Sequence, residues 1–68
     1  MREHDVTALP PAGATARIIR VMRQYPRWSV FWDKRYRVWR AAEDDPDSEL
    51  YAESPDADVV IQYITSHG

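Results

Sequence analysis

Between Arg27 and Ala42 the chain reads RWSVFWDKRYRVWRAA, and this stretch restricts the fold more than any other. All three tryptophans, Trp28, Trp32 and Trp39, fall inside it with Phe31, Tyr36 and the bases Arg27, Lys34, Arg35, Arg37 and Arg40. Aromatic and β-branched density of this kind predicts two strands, residues 28 to 32 and 36 to 41, joined by the polar turn Asp33-Lys34-Arg35. Successive side chains of a strand point to opposite faces, so Trp28, Val30 and Trp32 share one face while Arg27, Ser29, Phe31 and Asp33 share the other. The first set is the expected core. The second strand is open to two registers: a two-residue loop sets Trp32 opposite Arg37, a three-residue loop sets it opposite Tyr36, and this slip exchanges the faces of the strand. We take the three-residue loop, which groups Tyr36 and Val38 with the core tryptophans and leaves Arg37, Trp39 and Ala41 beside Arg27, Ser29 and Phe31.

The hairpin cannot stand alone, because an isolated two-stranded ribbon is marginal in water. Ala14, Ile18, Val21, Met22 and Tyr25 recur at three- and four-residue spacing, which predicts a helix from about Ala14 that Pro26 stops near Gln24. Arg17, Arg20 and Gln24, with Arg23 at the border, form a basic stripe opposite its apolar side. After the hairpin, EDDPDSE at Glu43 to Glu49 is a loop by its charge and proline, and Leu50 to Glu53 is a short third strand. Ser54-Pro55-Asp56 then carries a serine cap, a proline at the first helical position and an acid near the positive end of the dipole. The helix this predicts, roughly Pro55 to Ser66, shows Ala57, Val60, Ile61 and Ile64 as one stripe, widened by Val59 and Tyr63. Residues 1 to 13, with Pro10-Pro11 and Gly13, read as a flexible N-terminal arm, and residues 14 to 68 as one domain. The expected fold is therefore α+β, in the order α-β-β-(β)-α, an antiparallel meander with its helices packed on one face.

A chain of 68 residues buries only about 60% of the surface its unfolded form exposes, and without cysteine it has no disulfide or thiolate-metal staple. Its apolar runs are far shorter than the roughly 20 residues of a membrane span, and its first residues include acids and no apolar signal core. A cytoplasmic protein with no membrane association is expected. The net charge of −2 conceals a division. Up to Ala42 nine bases face three acids, a net of +6, while beyond it stand eight acids and no lysine or arginine. Such asymmetry suits an anionic partner, self-association, or internal pairing of opposite charges.

No reaction is written in the residues, and the expectation is a non-enzymatic chain without metal or cofactor. His4 and His67 lie at opposite ends, whereas a general base must be held within hydrogen-bonding reach of its target. Gly13 and Gly68 are the only glycines, so a glycine-rich phosphate loop is missing. Asp45, Asp47 and Glu49 alternate like oxygen ligands, but Pro46 and Ser48 stand where a calcium loop needs its glycine and distal glutamate spacing. Aromatics interleaved with cations are another matter. Arginine and lysine neutralise phosphates, aromatic rings stack on bases, and a two-stranded ribbon fits the major groove. The exposed candidates are Arg27, Phe31, Lys34, Arg35, Arg37 and Trp39 on the hairpin, with Arg17, Arg20 and Arg23 on the first helix.

From Arg27 to Ser66, the VWRAA strand at Val38 to Ala42 and the order of three antiparallel strands and a helix resemble two families of DNA-binding domain. These are the sheet-reading domain of plant ethylene-response factors and the arm-binding domain of tyrosine-recombinase integrases. The resemblance implies a sheet face laid in the major groove, with Arg27, Arg35, Arg37 and Trp39 as contacts. The chain differs from both in its acidic loop, its last helix without bases and its additional first helix. The functional expectation is DNA binding or a transcription-accessory role through the basic aromatic hairpin. The alternative is a protein-interaction module or homodimer that uses the sheet face or edge.

Overall fold

The structure, a computed structural model, describes residues 9–67, so His4 and most of the expected N-terminal arm lie outside the described residues. Five elements follow one another: α1 (Ala14–Gln24), β1 (Trp28–Asp33), β2 (Val38–Glu43), β3 (Tyr51–Ser54) and α2 (Ala57–His67). The strands form one antiparallel sheet in the order β1-β2-β3, and both helices pack on the same face of it. The α+β order and the third strand are as expected from the sequence.

Each boundary has a local cause. Gly13 takes φ +81°, a left-handed conformation that only glycine adopts without a Cβ penalty, and the Ala14 amide donates to the Pro11 carbonyl at 3.1 Å as α1 begins. Pro26 ends the helix as predicted: the Tyr25 amide makes the last helical bond to Val21 at 2.9 Å, and the Trp28 amide turns back to the Tyr25 carbonyl at 3.0 Å. Helix α2 starts two residues later than the serine-cap reading placed it. Ser54 belongs to β3, where its hydroxyl accepts from the Asp56 amide at 3.0 Å, and Asp56 is the cap, its carboxylate accepting from the Asp58 amide at 2.9 Å.

The hairpin register corrects the sequence reading. Its turn is four residues long, Lys34 to Arg37, and Trp32 pairs with Trp39, Val30 with Ala41 and Phe31 with Arg40. Trp39 and Ala41 therefore lie on the core face with Trp28, Val30 and Trp32, while Tyr36 leaves the sheet and is 63% exposed. The reason lies in Asp33. Its Oδ1 accepts from the Arg35 and Tyr36 amides at 3.0 and 3.3 Å, closing a wider turn that Arg37 completes at φ 56°.

The core joins Ala14, Ile18 and Val21 of α1 to Trp28, Trp39 and Ala41 of the sheet and Ala57, Val60 and Ile64 of α2. Trp32 meets Trp39 edge to face at 5.3 Å, and Trp28 meets Tyr63 of α2 at 5.9 Å. Val59, expected to widen the α2 stripe, is instead 52% exposed. No described helix is long and apolar enough to cross a membrane.

Candidate interaction surface

With both helices on one side, the other side of the sheet is uncovered. Alternation assigns Ser29, Phe31 and Asp33 of β1, Val38, Arg40 and Ala42 of β2, and Tyr51 and Glu53 of β3 to it. The register lines these up across the strands: Ser29-Ala42-Tyr51 form one row, Phe31-Arg40-Glu53 the next, and Asp33-Val38 the last. Phe31 is 57% and Tyr51 46% exposed on the two outer strands, and Tyr36 stands over the turn end.

Arg40 is the centre. Its Nε donates to Asp33 Oδ2 at 2.8 Å, and its Nη1 donates to Glu53 Oε1 at 2.7 Å and to the Tyr51 hydroxyl at 2.6 Å. That hydroxyl donates in turn to Glu53 Oε1 at 2.7 Å. The guanidinium lies 5.5 Å from the Tyr36 ring centroid, within cation–π range, and Arg35 approaches the same ring at 5.8 Å. One arginine so ties all three strands and the turn. The Asp33 hydrogen bond, then that of Tyr51, raises the Arg40 pKa still higher. Asp33 is held below the usual carboxylate range, first by the Arg40 bond; partial burial opposes this, and the Tyr36 and Arg35 amides reinforce it.

The two ends of the face differ in charge. At the turn end Lys34, Arg35 and Arg37 are exposed. At the other end lies the acidic loop, anchored to this face where the Ser29 hydroxyl donates to Asp44 Oδ1 at 2.6 Å and the Asp44 amide donates to the Arg27 carbonyl at 2.6 Å. Within the loop the Asp45 carboxylate accepts from the Asp47 amide at 3.0 Å and the Asp45 carbonyl accepts from the Ser48 amide at 2.9 Å, so Asp45 builds a turn. Among the described residues no group of three or more metal-ligating side chains converges.

The residues singled out from the sequence are thus divided. Phe31, Lys34, Arg35 and Arg37 share the open face and its turn, and Arg27 lies at the acidic end. Trp39 is 4% exposed and faces the helices, so it is withdrawn from any surface. Arg17 and Arg20 wall a groove of about 210 Å³ between the helices, where Arg17 Nε donates to Asp58 Oδ1 at 3.1 Å. Arg23 is exposed on the same helical layer, so these three do not extend the hairpin's surface. Sequence reasoning missed Arg40 as the organiser, together with Tyr51 and Glu53. The i, i+2 spacing of Tyr51 and Glu53 was readable, but their meeting with Arg40 depends on register.

A shallow second cleft of about 520 Å³ runs between β3 and α2, past Tyr51, Ala52, Val59, Tyr63 and His67. The Tyr63 hydroxyl sits 3.4 Å from the Tyr51 amide, and the His67 ring stacks on Tyr63 at 4.2 Å with Nδ1 2.9 Å from the Tyr63 carbonyl.

No protein-family model matches this chain, and neither a curated protein nor a solved structure matches it. The likeness to sheet-reading DNA-binding domains rests on strand order and the VWRAA strand.

Proposed function

We propose that this chain is a non-catalytic protein-interaction domain whose working surface is the open face of the sheet. One observation carries the reading: Phe31, Tyr36 and Tyr51 stand exposed around an Arg40 that Asp33, Glu53 and Tyr51 already hold in place. Aromatic rings and arginine are the residue types that dominate binding energy at protein interfaces, and side chains fixed before binding lose less entropy on contact. The central guanidinium is answered by carboxylates, so it releases few counterions to a phosphate backbone. A photo-crosslinking residue placed at Phe31 or Tyr51, compared with one at Ile19 on the exposed side of α1, tests the surface in cells. Protein adducts should form from the sheet positions and not from Ile19. Equal yields from both sides, or none from the sheet, overturn the reading.

A second reading, DNA binding or a transcription-accessory role, is favoured by the turn. Lys34 and Arg37 have no carboxylate partner among the described residues, and Arg35 lies against a ring that can stack on a base. Titration of labelled single strands and duplexes at low and physiological salt separates the two. Binding at physiological salt with a steep salt slope that Lys34→Glu reduces supports the DNA reading, and its absence rejects it.

A further inference from the structure

The geometry points to a second copy of this chain as the partner of the open face, in a two-fold pair with strands reversed. This inference rests on the interaction reading above and names its occupant.

The charge layout of the face is self-complementary. Lys34, Arg35 and Arg37 stand at one end of the β1–β2 ribbon, and at the other Asp44, Asp45, Asp47 and Glu49 outnumber the single base Arg27. Paired strands of six residues hold these ends about 20 Å apart at about 3.4 Å per residue. That exceeds the Debye length of about 8 Å at physiological ionic strength, so the two ends of one molecule do not quench each other. A two-fold axis lying in the interface plane and running across the strands turns one face onto the other and reverses the strands. Each basic turn then lies over the acidic loop of the other copy, and both contacts form at once, as an isologous interface requires. A parallel arrangement would set turn on turn and loop on loop, which like charges oppose.

The middle of the face is fit to be covered. Phe31 and Tyr51 bring exposed ring area, the small Ala42 stands opposite Tyr51, and the Arg40 guanidinium already has three oxygen partners. Desolvation therefore strands no cation without a partner. Two sheets packed at about 10 Å give four layers, helix, sheet, sheet, helix. Two strands of six residues and one of four, about 4.8 Å apart, make a face well below the roughly 800 Å² per partner of a standard interface. A concentration-dependent, salt-sensitive dimer is expected.

Sedimentation from about 5 to 500 μM, at low and at physiological salt, measures it. The wild type should shift from monomer to dimer, and the shift should weaken with salt. Two charge-reversed variants, Lys34→Glu with Arg35→Glu, and Asp45→Lys with Asp47→Lys and Glu49→Lys, should each be monomeric at concentrations where the wild type dimerises. Mixed at equal concentration they should form a heterodimer, because each reversed end then meets its opposite. Circular dichroism establishes that both are folded. A wild type that stays monomeric throughout overturns the inference, as does a mixture that fails to pair. Foreign adducts from Phe31 with a strictly monomeric chain would sink self-association and leave the interaction reading standing, so the two failures are distinguishable.

Discussion

Asp33 does three things with one carboxylate: it closes the turn through two amides, anchors Arg40, and so settles which side of β2 faces the helices. Its depressed pKa gives a sign to the pH dependence. The folded protein holds this proton less tightly than the unfolded chain, whose aspartate titrates near about 3.9, so the stability it contributes is complete above that pH and is lost as pH falls through the folded value. Urea melts of wild type and Asp33→Asn from pH 7 to pH 2 should show a gap that is widest near neutrality and closes in acid; a gap constant to pH 2 would count against the Arg40 bond. Arg37 offers a second test. A non-glycine residue at φ 56° carries about 1–2 kcal/mol of strain, while glycine's added chain entropy costs about 0.5–1 kcal/mol. Arg37→Gly should therefore stabilise by about 0–1.5 kcal/mol, and Arg37→Val should destabilise by about 1–3 kcal/mol in denaturant titrations of dilute protein.

The elements were readable where their signals are local. Helix α1 was framed by its spacing and by Pro26, and β3 was placed by a short run between loop and cap. At α2 two neighbouring oxygens competed for the role of cap, and the structure gives it to Asp56. Asp56→Ala should cost about 1 kcal/mol while Asp56→Asn stays near neutral, as read by thermal melts. Ser54→Ala should cost less, because its hydroxyl serves a turn ahead of the helix. The register of the hairpin has its own test in the unaltered protein. Hydrogen exchange of the indole N–H groups should show Trp28 and Trp39 both protected, because both rings are buried. A fast Trp39 would restore the three-residue turn.

At the scale of the whole molecule, one small core must hold three strands and two helices. A domain of this length has about 3–10 kcal/mol in total at the usual stability per residue. Ile64 is fully buried between α2 and the sheet, so Ile64→Ala, at about 2–5 kcal/mol, should remove a large share of that margin, whereas Ile64→Val should cost about 0.5–1.5 kcal/mol. Thermal melts followed by far-UV circular dichroism read the difference directly. A chain that tolerates Ile64→Ala without loss would mean that the core described above is not what holds it. The same one-sided core exposes Phe31, Tyr36 and Tyr51: the helices suffice to cover one face of the sheet and leave the other to solvent or a partner.

By itself the sequence determined the class and order of the elements, the core side of β1 and the inward stripes of both helices. Those follow from alternation along one strand, the repeat of one helix and the punctuation of proline and glycine, all of them properties of neighbouring residues. Only the tertiary structure decided the side of Trp39 and the union of Arg40 with Asp33, Tyr51 and Glu53. Those depend on how one strand slides against the next, and a one-residue slip conserves every local pattern while exchanging the faces. The choice fell to a four-residue turn held by Asp33 and to the burial of the Trp39 ring in the core on the helical side of the sheet, which no stretch of a single strand contains.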